Sequence, residues 1–427
     1  MVSAVMFAVL ILTILLGLPI AFAIGLSASI AIFAFGTVGV LFQPRSAITA
    51  IQSYPLLAIP LFTLAGDLML TGGLSKRLID FAESLVGSFR ANMSYVTVLA
   101  STFFAAISGS SPATVAAIGS NVIPEMTKRK YPKPYSTALV ASSGMIGVMI
   151  PPSIPFIMYG IAAEASISRL FIAGIGPGIL FAIGFMLTAR LVYAKMGLNL
   201  ATSPFSFMGA LIASKKAVCA LLAPVFVLGG IYGGVFSPTE AAAFAVFYAL
   251  FVGKFIYREL NWGNIWQIFG RSAATSATVL VLIAFATTFG RVLTLERVPA
   301  QLTALITSIS DSTTVLLLVL NLFFLIVGMF METNAAIIIL TPILLPVLKV
   351  YGVDPVFFGV MIVVNLAVGF CTPPLGVNLF VASAIGKTKL EDVLKAVWPY
   401  LITMIIMLAI VTYVPALSMW LPKLLLG

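Results

Sequence analysis

Long runs of apolar residues, separated by short polar and charged stretches, dominate the pattern along this 427-residue chain. Several runs exceed the roughly 18 to 20 residues that a helix needs to cross a hydrocarbon core. The first run, residues 2–44, contains no charged residue, and we predict that it forms two spans bent near Gly17 and Pro19. It is too long for a secretory signal peptide and lacks a positively charged start. The pattern therefore predicts an all-α polytopic membrane protein.

Two proline-marked regions recur at an offset of 222 residues, which predicts an internal repeat. The shared feature is a proline, then a glycine, then two adjacent prolines. The matching positions are Pro124 and Pro346, Gly147 and Gly369, Pro151 and Pro373, and Pro152 and Pro374.

Charged residues then set the predicted orientation of the two repeats. Lys and Arg accumulate in cytoplasmic loops, and the loop after Pro124 contains four of them, whereas the loop after Pro346 contains one. We therefore expect an inverted repeat of about five spans in each half. The predicted spans are 2–17, 21–41, 55–74, 135–165 and 171–193 in the first half, and 218–233, 238–257, 273–290, 356–386 and 396–416 in the second.

Two further stretches, 94–126 and 313–350, each contain two half-length apolar segments around a short polar tip. Each stretch must begin and end on the same side of the membrane if the Lys- and Arg-rich loops are to be cytoplasmic. We therefore predict two re-entrant hairpins. The stretches before them, 75–90 and 298–310, mix polar and apolar residues at helical spacing, which is typical of helices lying along the membrane surface. Inverted repeats with interrupted helices favour a secondary transporter whose site lies near the midplane.

The polar residues of the hairpin tips and the proline pairs are the candidate binding groups. Hydroxyls and free backbone groups at membrane depth must line a cavity or be packed by protein. Adjacent prolines break a helix because proline removes a backbone donor and clashes with the preceding turn. We predict two oxygen-rich Na⁺ neighbourhoods with the solute between them, while small residues that allow close helix packing are the alternative explanation of the first tip. The ion-binding candidates are Ser108, Gly109, Ser110, Ser111, Thr114, Pro151, Ser153, Glu332, Thr333, Asn334, Thr372, Pro373 and Gly376, and the solute-binding candidates are Ser110, Pro152, Ser153, Asn334, Pro374 and Asn378.

Glu332 is the acidic residue of the second tip. Burial of a carboxylate at membrane depth costs at least about 2.5 kcal/mol unless it has a partner, so a role is expected. Two roles remain open at this point. Glu332 could help to bind a cation, or it could be protonated and hydrogen-bonded as a structural element.

Composition excludes several other classes of function. The chain has no His, which removes zinc sites and catalytic triads that use it, and Cys219 and Cys371 both lie in apolar stretches. No phosphate-binding glycine loop occurs, so ATP hydrolysis is not expected. The net charge of +10 is spread over short clusters between apolar runs, which indicates membrane topology rather than nucleic-acid binding. We therefore do not expect an enzyme or a cofactor, and an ion channel is disfavoured because an inverted repeat within one chain does not suit a central pore.

Three stretches give the chain a specific resemblance. Residues 147–153 (GVMIPPS), 328–332 (GMFME) and 372–378 (TPPLGVN) resemble the hallmarks of the large membrane subunit of tripartite ATP-independent periplasmic transporters. The similarity extends over essentially the whole chain. The resemblance implies an elevator mechanism, Na⁺ coupling, a small four-helix membrane subunit and a periplasmic substrate-binding protein in a bacterial inner membrane.

The resemblance also implies a division into scaffold and transport parts. The expected scaffold comprises 1–93, with an arm helix, and 171–310, with a second arm helix; the transport halves are 94–170 and 311–390, and 391–427 is a C-terminal span. No N-terminal extension suits the small subunit, so we expect it to be a separate chain. Family substrates carry a carboxylate, and we favour a sialic acid over a C4-dicarboxylate. A stand-alone ion-coupled carrier without a binding protein is the alternative.

Overall fold

The computed structural model describes residues 2–36, 38–198, 200, 204, 206–374 and 376–426. Within these residues the regular structure is helical and no strand occurs, as the apolar pattern predicts. The α-helices are α1 (Val2–Leu15), α2 (Ile20–Phe35), α3 (Phe42–Ile51), α4 (Ala58–Thr71), α5 (Leu74–Val86), α6 (Asn92–Ser108), α7 (Ser111–Lys128), α8 (Lys133–Gly144), α9 (Ile154–Ala163), α10 (Ile167–Lys195), α11 (Phe207–Tyr232), α12 (Pro238–Phe251), α13 (Trp262–Leu295), α14 (Val298–Ile309), α15 (Thr313–Phe330), α16 (Thr333–Val350), α17 (Pro355–Gly369), α18 (Val377–Gly386), α19 (Leu390–Tyr413) and α20 (Ala416–Leu426).

Eight stretches of the described chain are long and apolar enough to cross a membrane. This agrees with a polytopic membrane protein, and the opposite orientation of the two halves stays a prediction. The stretches are Tyr54–Thr71, Ile167–Lys195, Phe207–Tyr232, Pro238–Ile256, Trp262–Leu295, Thr313–Phe330, Thr333–Val350 and Leu390–Tyr413.

The helices at the two ends of the chain differ from the predicted spans. The turn after α1 contains Gly17, and α2 ends at Gly36 with a left-handed backbone, so both helices are shorter than the predicted spans 2–17 and 21–41. Glycine ends helices readily because it tolerates positive φ. The prediction also lacks α3, and it lacks α20, which follows Pro415.

The two predicted hairpins correspond to α6–α7 and α15–α16, and they differ in how their helices pack. In the first hairpin α6 lies against α7, whereas in the second α15 packs mainly on α17, and α16 packs on α9 and α13. The second broken helix reaches into the first half, since α18 packs on α7 and α8. The two halves are therefore interleaved.

Both broken helices stop at the proline pairs, as the sequence predicts. In the first, α8 continues as a 3₁₀ turn to Val148, and α9 begins at Ile154; in the second, α17 ends at Gly369, and α18 begins at Val377. Both proline pairs contain a cis peptide bond. The hallmark residue Leu375 lies outside the described residues.

The helices α5 and α13 each pack both on a predicted hairpin and on helices of the predicted scaffold. The amphipathic helix α5 buries Leu74, Leu78 and Ala82 and packs on α6 and α11. The 34-residue helix α13 contacts α2, α3 and α4 as well as α16. α13 therefore joins the predicted scaffold to the predicted transport part.

Candidate functional site

The first hairpin tip is bonded directly to the first helix break. Gly109 adopts φ +64° at the end of α6, and its carbonyl accepts a hydrogen bond from the Ile154 backbone N–H at 3.1 Å. A Cβ at this position would lie 2.7 Å from the Pro152 carbonyl oxygen, so both the conformation and the close approach require glycine. The tip and the break thus form one compact unit.

Buried hydroxyls hold the interior of this tip. The Ser110 carbonyl accepts hydrogen bonds from Ser108 Oγ at 3.0 Å and from Thr114 Oγ1 at 2.8 Å. Across the break, Ser153 Oγ donates to the Val148 carbonyl at 2.6 Å. The structure therefore brings Ser108, Gly109, Ser110 and Thr114 next to residues 151–153. This is the arrangement on which the first predicted Na⁺ neighbourhood depends, and ion binding there stays a prediction.

Asn378 connects the first tip to the second half of the chain. This fully buried amide donates to Ser111 Oγ at 2.7 Å and to the Ala141 carbonyl at 2.9 Å. Its own backbone N–H bonds the Phe370 carbonyl at 3.0 Å, which closes the second break. Asn378 thus contacts both halves at once, and its side chain lies among protein groups.

The second tip is more open than the first. Glu332 precedes α16, and its carboxylate accepts hydrogen bonds from the Ala335 N–H at 3.0 Å and from Asn334 Nδ2 at 2.7 Å. The Glu332 side chain is exposed, whereas Thr333 is buried. In the described part of the chain, no hydrogen bond joins residues 332–334 to residues 372–378. The second predicted ion neighbourhood is therefore less closed.

The remaining candidates of the second break lie beside this tip. Thr372 Oγ1 donates to the Val368 carbonyl at 2.8 Å, and Gly376 has φ +35°. Pro373 is half-buried and Pro374 is exposed. Their neighbours Phe370 and Val377, rather than these residues themselves, line the cavity described next.

A cavity of about 540 Å³ lies between the two tips. On one side it is lined by residues of the breaks and tips, and on the other by α2, α4 and α13. Of the predicted residues, five belong to its lining: Gly109, Ser110, Ser111, Glu332 and Asn334. Ser153 and Asn378 are buried behind the wall, so contact between them and a solute stays a prediction.

Four helix N-termini meet at this cavity. Its lining includes first-turn residues of α7 (Pro112), α9 (Ile154), α16 (Ala335) and α18 (Val377). The Ile154, Ala335 and Asn378 N–H groups are already bonded within the protein. The attraction for an anion therefore comes from the partial positive charge that each helix N-terminus carries. The Glu332 carboxylate already accepts hydrogen bonds from Asn334 and Ala335 at the start of α16. The electrostatics of the cavity therefore suit a small anionic solute.

Residues 7–417 match the model of the family described as the tripartite ATP-independent periplasmic transporter, DctM component. The chain belongs to the DctM family. It is 46% identical over 97% of its length to the isethionate permease protein DctMQ of Oleidesulfovibrio alaskensis, and spans 66% of that relative. It is 40% identical to the C4-dicarboxylate large permease protein DctM of Pseudomonas aeruginosa, covering 94% of this chain and 93% of that one. It is 36% identical to the sialic acid large permease protein SiaM of Vibrio cholerae, covering 96% of each.

Solved structures confirm the fold of this DctM chain. The YdaH transporter of Alcanivorax borkumensis superposes with a TM-score of 0.61 at 17% identity, covering 88% of this chain and 86% of the other. MtrF of Neisseria gonorrhoeae gives a TM-score of 0.56 at 14% identity, covering 91% and 85%. The predicted family, the all-α polytopic fold and the location in a bacterial inner membrane are thus confirmed. The related DctM proteins are named as permeases, in agreement with a chain that is not an enzyme.

Sequence reasoning missed the hydroxyl groups on the other wall of the DctM cavity. Thr63, Thr275 and Thr278 line it from α4 and α13. Each donates to the carbonyl four residues earlier, at 2.8 to 3.1 Å, as lone threonines in membrane helices commonly do. Nothing in the sequence distinguishes them from Thr288, which makes the same kind of bond at a fully buried position.

Proposed function

We propose that this chain is the large permease of a Na⁺-coupled transporter that carries a small organic anion into the cytoplasm. The observation that supports the proposal most is the convergence of four helix N-termini on a cavity of about 540 Å³. The tips and breaks supply carbonyl and hydroxyl oxygens, which are the ligands that hard cations prefer. The cation is co-transported with the anion, and it is bound next to it.

The proposed partners are a small four-helix membrane subunit and a periplasmic binding protein that delivers the solute. The DctM family is described as part of a tripartite periplasmic transporter, which supports partners of this kind. The proposed mechanism is an elevator, in which the interleaved halves move against α2, α4 and α13. The packing of α18 on α7 and α8 supports movement of both halves as one body.

The proposed solute carries a carboxylate or sulfonate. The sequence resemblance favours a sialic acid, whereas the relative at 46% identity is named for isethionate and the one at 40% for C4-dicarboxylates. All three solutes present an oxyanion that helix N-termini can bind. The first assay should therefore compare all of them rather than one.

Uptake into proteoliposomes tests this proposal. Vesicles with this chain and its small partner receive radiolabelled isethionate, succinate or sialic acid, with and without an inward Na⁺ gradient and the binding protein. We expect uptake of one solute that requires both. Uptake without Na⁺ would refute the coupling, uptake indifferent to the binding protein would favour a stand-alone carrier, and no uptake of any of the three would refute the proposed substrate class.

Serine variants test the first ion neighbourhood. Ser110→Ala, Ser111→Ala and Ser153→Ala, alone and combined, should raise the Na⁺ concentration needed for half-maximal uptake. Because the ligands there include backbone oxygens, we expect graded effects, with the largest in the combined variant. An unchanged Na⁺ dependence in the combined variant would refute this ion neighbourhood.

A further inference from the structure

A second cavity, of about 360 Å³, lies further along the same helices that line the first. On α13 the first cavity is lined by Thr275, Thr278, Val279 and Leu282, and the second by Ile283, Ala286, Thr287, Gly290, Arg291 and Thr294. Thr278 and Arg291 are separated by about 20 Å along a helix that rises 1.5 Å per residue. One face of α13 thus runs from one cavity to the other.

Two helices that the proposed elevator would move, α9 and α16, form part of the opposite wall of the second cavity. α9 begins at the first cavity, and its later residues Met158 and Ile161 line the second; α16 likewise continues from its tip to Ile338 and Pro342. On α9, Ile157 is buried between Ile154, which lines the first cavity, and Met158, which lines the second. By the charge pattern of the loops, the second cavity lies on the periplasmic side. The two cavities are therefore opposite ends of one interrupted path.

The second cavity is lined by a positively charged side chain, Arg291, which has no role in the proposed function. Arg291 lines it with an exposed side chain, and Arg291 Nη1 donates to the hydroxyl of the buried Ser46 at 3.1 Å. Glu164 lines the same cavity, but in the described part of the chain no carboxylate oxygen lies within 4.0 Å of the Arg291 guanidinium. The Ser46 hydroxyl orients the guanidinium and leaves its other donors for a ligand.

We propose that Arg291 binds the carboxylate or sulfonate of the solute as it enters from the periplasmic side. This inference rests on the proposed function, because it assumes an organic anion. A guanidinium pairs with two oxygens of an oxyanion at once, which lysine cannot do. Thr287 and Thr294 supply further hydroxyls in the same cavity. Arg291 is thus the first binding group of the path, and the four helix N-termini are the second.

Transport kinetics test this role in the complete transporter. Uptake of the solute that the unmodified protein carries is measured against its concentration, for Arg291→Gln and Arg291→Lys. We expect Arg291→Gln to raise KM by about tenfold or more with little change in maximal rate, and Arg291→Lys to lie between. Arg297→Gln is the matched control, since Arg297 is exposed between α13 and α14 and is not among the residues that line the cavity. An unchanged KM in Arg291→Gln would overturn the proposal.

A second measurement does not depend on transport. Thr287→Cys is introduced with Cys219→Ala and Cys371→Ala, and its reaction rates with an anionic sulfonatoethyl and a cationic trimethylammonioethyl methanethiosulfonate are compared. We expect Arg291→Gln to lower the ratio of anionic to cationic rate by about fivefold or more, since nearby charge changes the local concentration of each reagent. A ratio unaffected by Arg291→Gln would overturn the proposal even if the solute were unknown. If Arg291→Gln lowered the ratio but the unmodified transporter took up none of the three solutes, the proposed function would be refuted and the charge effect of Arg291 would stand.

Discussion

The two hairpin tips share a sequence pattern but differ in how they are closed. The first tip is bonded to its own helix break through Gly109 and to the other half through Ser111 and Asn378. In the described residues, the polar side chains of the second tip bond within the start of α16, and Glu332 remains exposed to the cavity. The same sequence pattern thus gives a closed first tip, in which neutral groups bond to one another, and an open second tip, which contains the charged Glu332.

This difference indicates a division of roles between the tips. A neutral tip can be packed fully because each hydroxyl and amide finds a partner, whereas a carboxylate is costly to bury without one. We infer that the first tip fixes the geometry of the body that moves in the proposed elevator, and that the second tip keeps a polar surface toward the proposed solute.

Gly109→Ala should have the largest effect on stability. Alanine at φ +64° costs about 1–2 kcal/mol, and overlap with the Pro152 carbonyl adds about 1–3 kcal/mol. Gly352→Ala is the control, because Gly352 has φ +67° with no atom within 4 Å of an added Cβ. Thermal unfolding in detergent should show a clearly larger loss for Gly109→Ala. Equal losses would mean that the contact with the break contributes nothing.

Asn378→Ala should have the next largest effect, because it leaves the buried Ser111 hydroxyl unpaired, whereas the Ala141 carbonyl still accepts from Cys371 Sγ at 3.3 Å. One unpaired buried group costs about 1–3 kcal/mol. Asn334→Ala in the second tip removes an amide whose Nδ2 bonds the exposed Glu332, and should cost about 0.5–1.5 kcal/mol. Thermal midpoints measured side by side check this order. If Asn334→Ala were the more damaging variant, the contrast between the tips would be wrong.

Glu332 variants should have effects on stability as small as that of Asn334→Ala. Glu332→Ala removes the acceptor that caps α16 and should cost about 1 kcal/mol, whereas Glu332→Gln keeps an acceptor oxygen and should cost less. The Na⁺ dependence of uptake by the Glu332 variants distinguishes a cation ligand from a structural element, the two roles that the sequence leaves open. A changed Na⁺ dependence in Glu332→Gln would indicate a cation ligand, and an unchanged dependence together with a destabilised Glu332→Ala would indicate a helix cap.

The sequence predicted features that depend on local chemistry. Adjacent prolines such as Pro151 and Pro152 must interrupt a helix, and the glycine and hydroxyls of residues 108–114 must turn the chain. The structure has both. The lengths of α1 and α2 were overestimated because apolar runs do not show where a helix ends, whereas the positive φ of Gly17 and Gly36 does.

Long-range pairing could not be predicted in the same way. Asn378 and Ser111 are 267 positions apart, and one isolated asparagine in an apolar helix carries no sign of its partner. Arg291 directly follows the predicted span 273–290, where a charged residue is expected at the membrane surface and carries no sign of a binding role. Its significance emerges only when α13 is seen to line two cavities.

The amide of Asn378 has a consequence for energy conservation. A carrier whose two halves shifted independently could let a cation cross alone and dissipate the gradient, or let the solute leak back without its ion. Because Asn378 joins the first tip, the first broken helix and the second break through buried hydrogen bonds, partial movement would require breaking them. In the proposed transporter, one side chain would thus help to hold the ratio of ions to solute fixed, and weakening it would produce slippage before loss of binding.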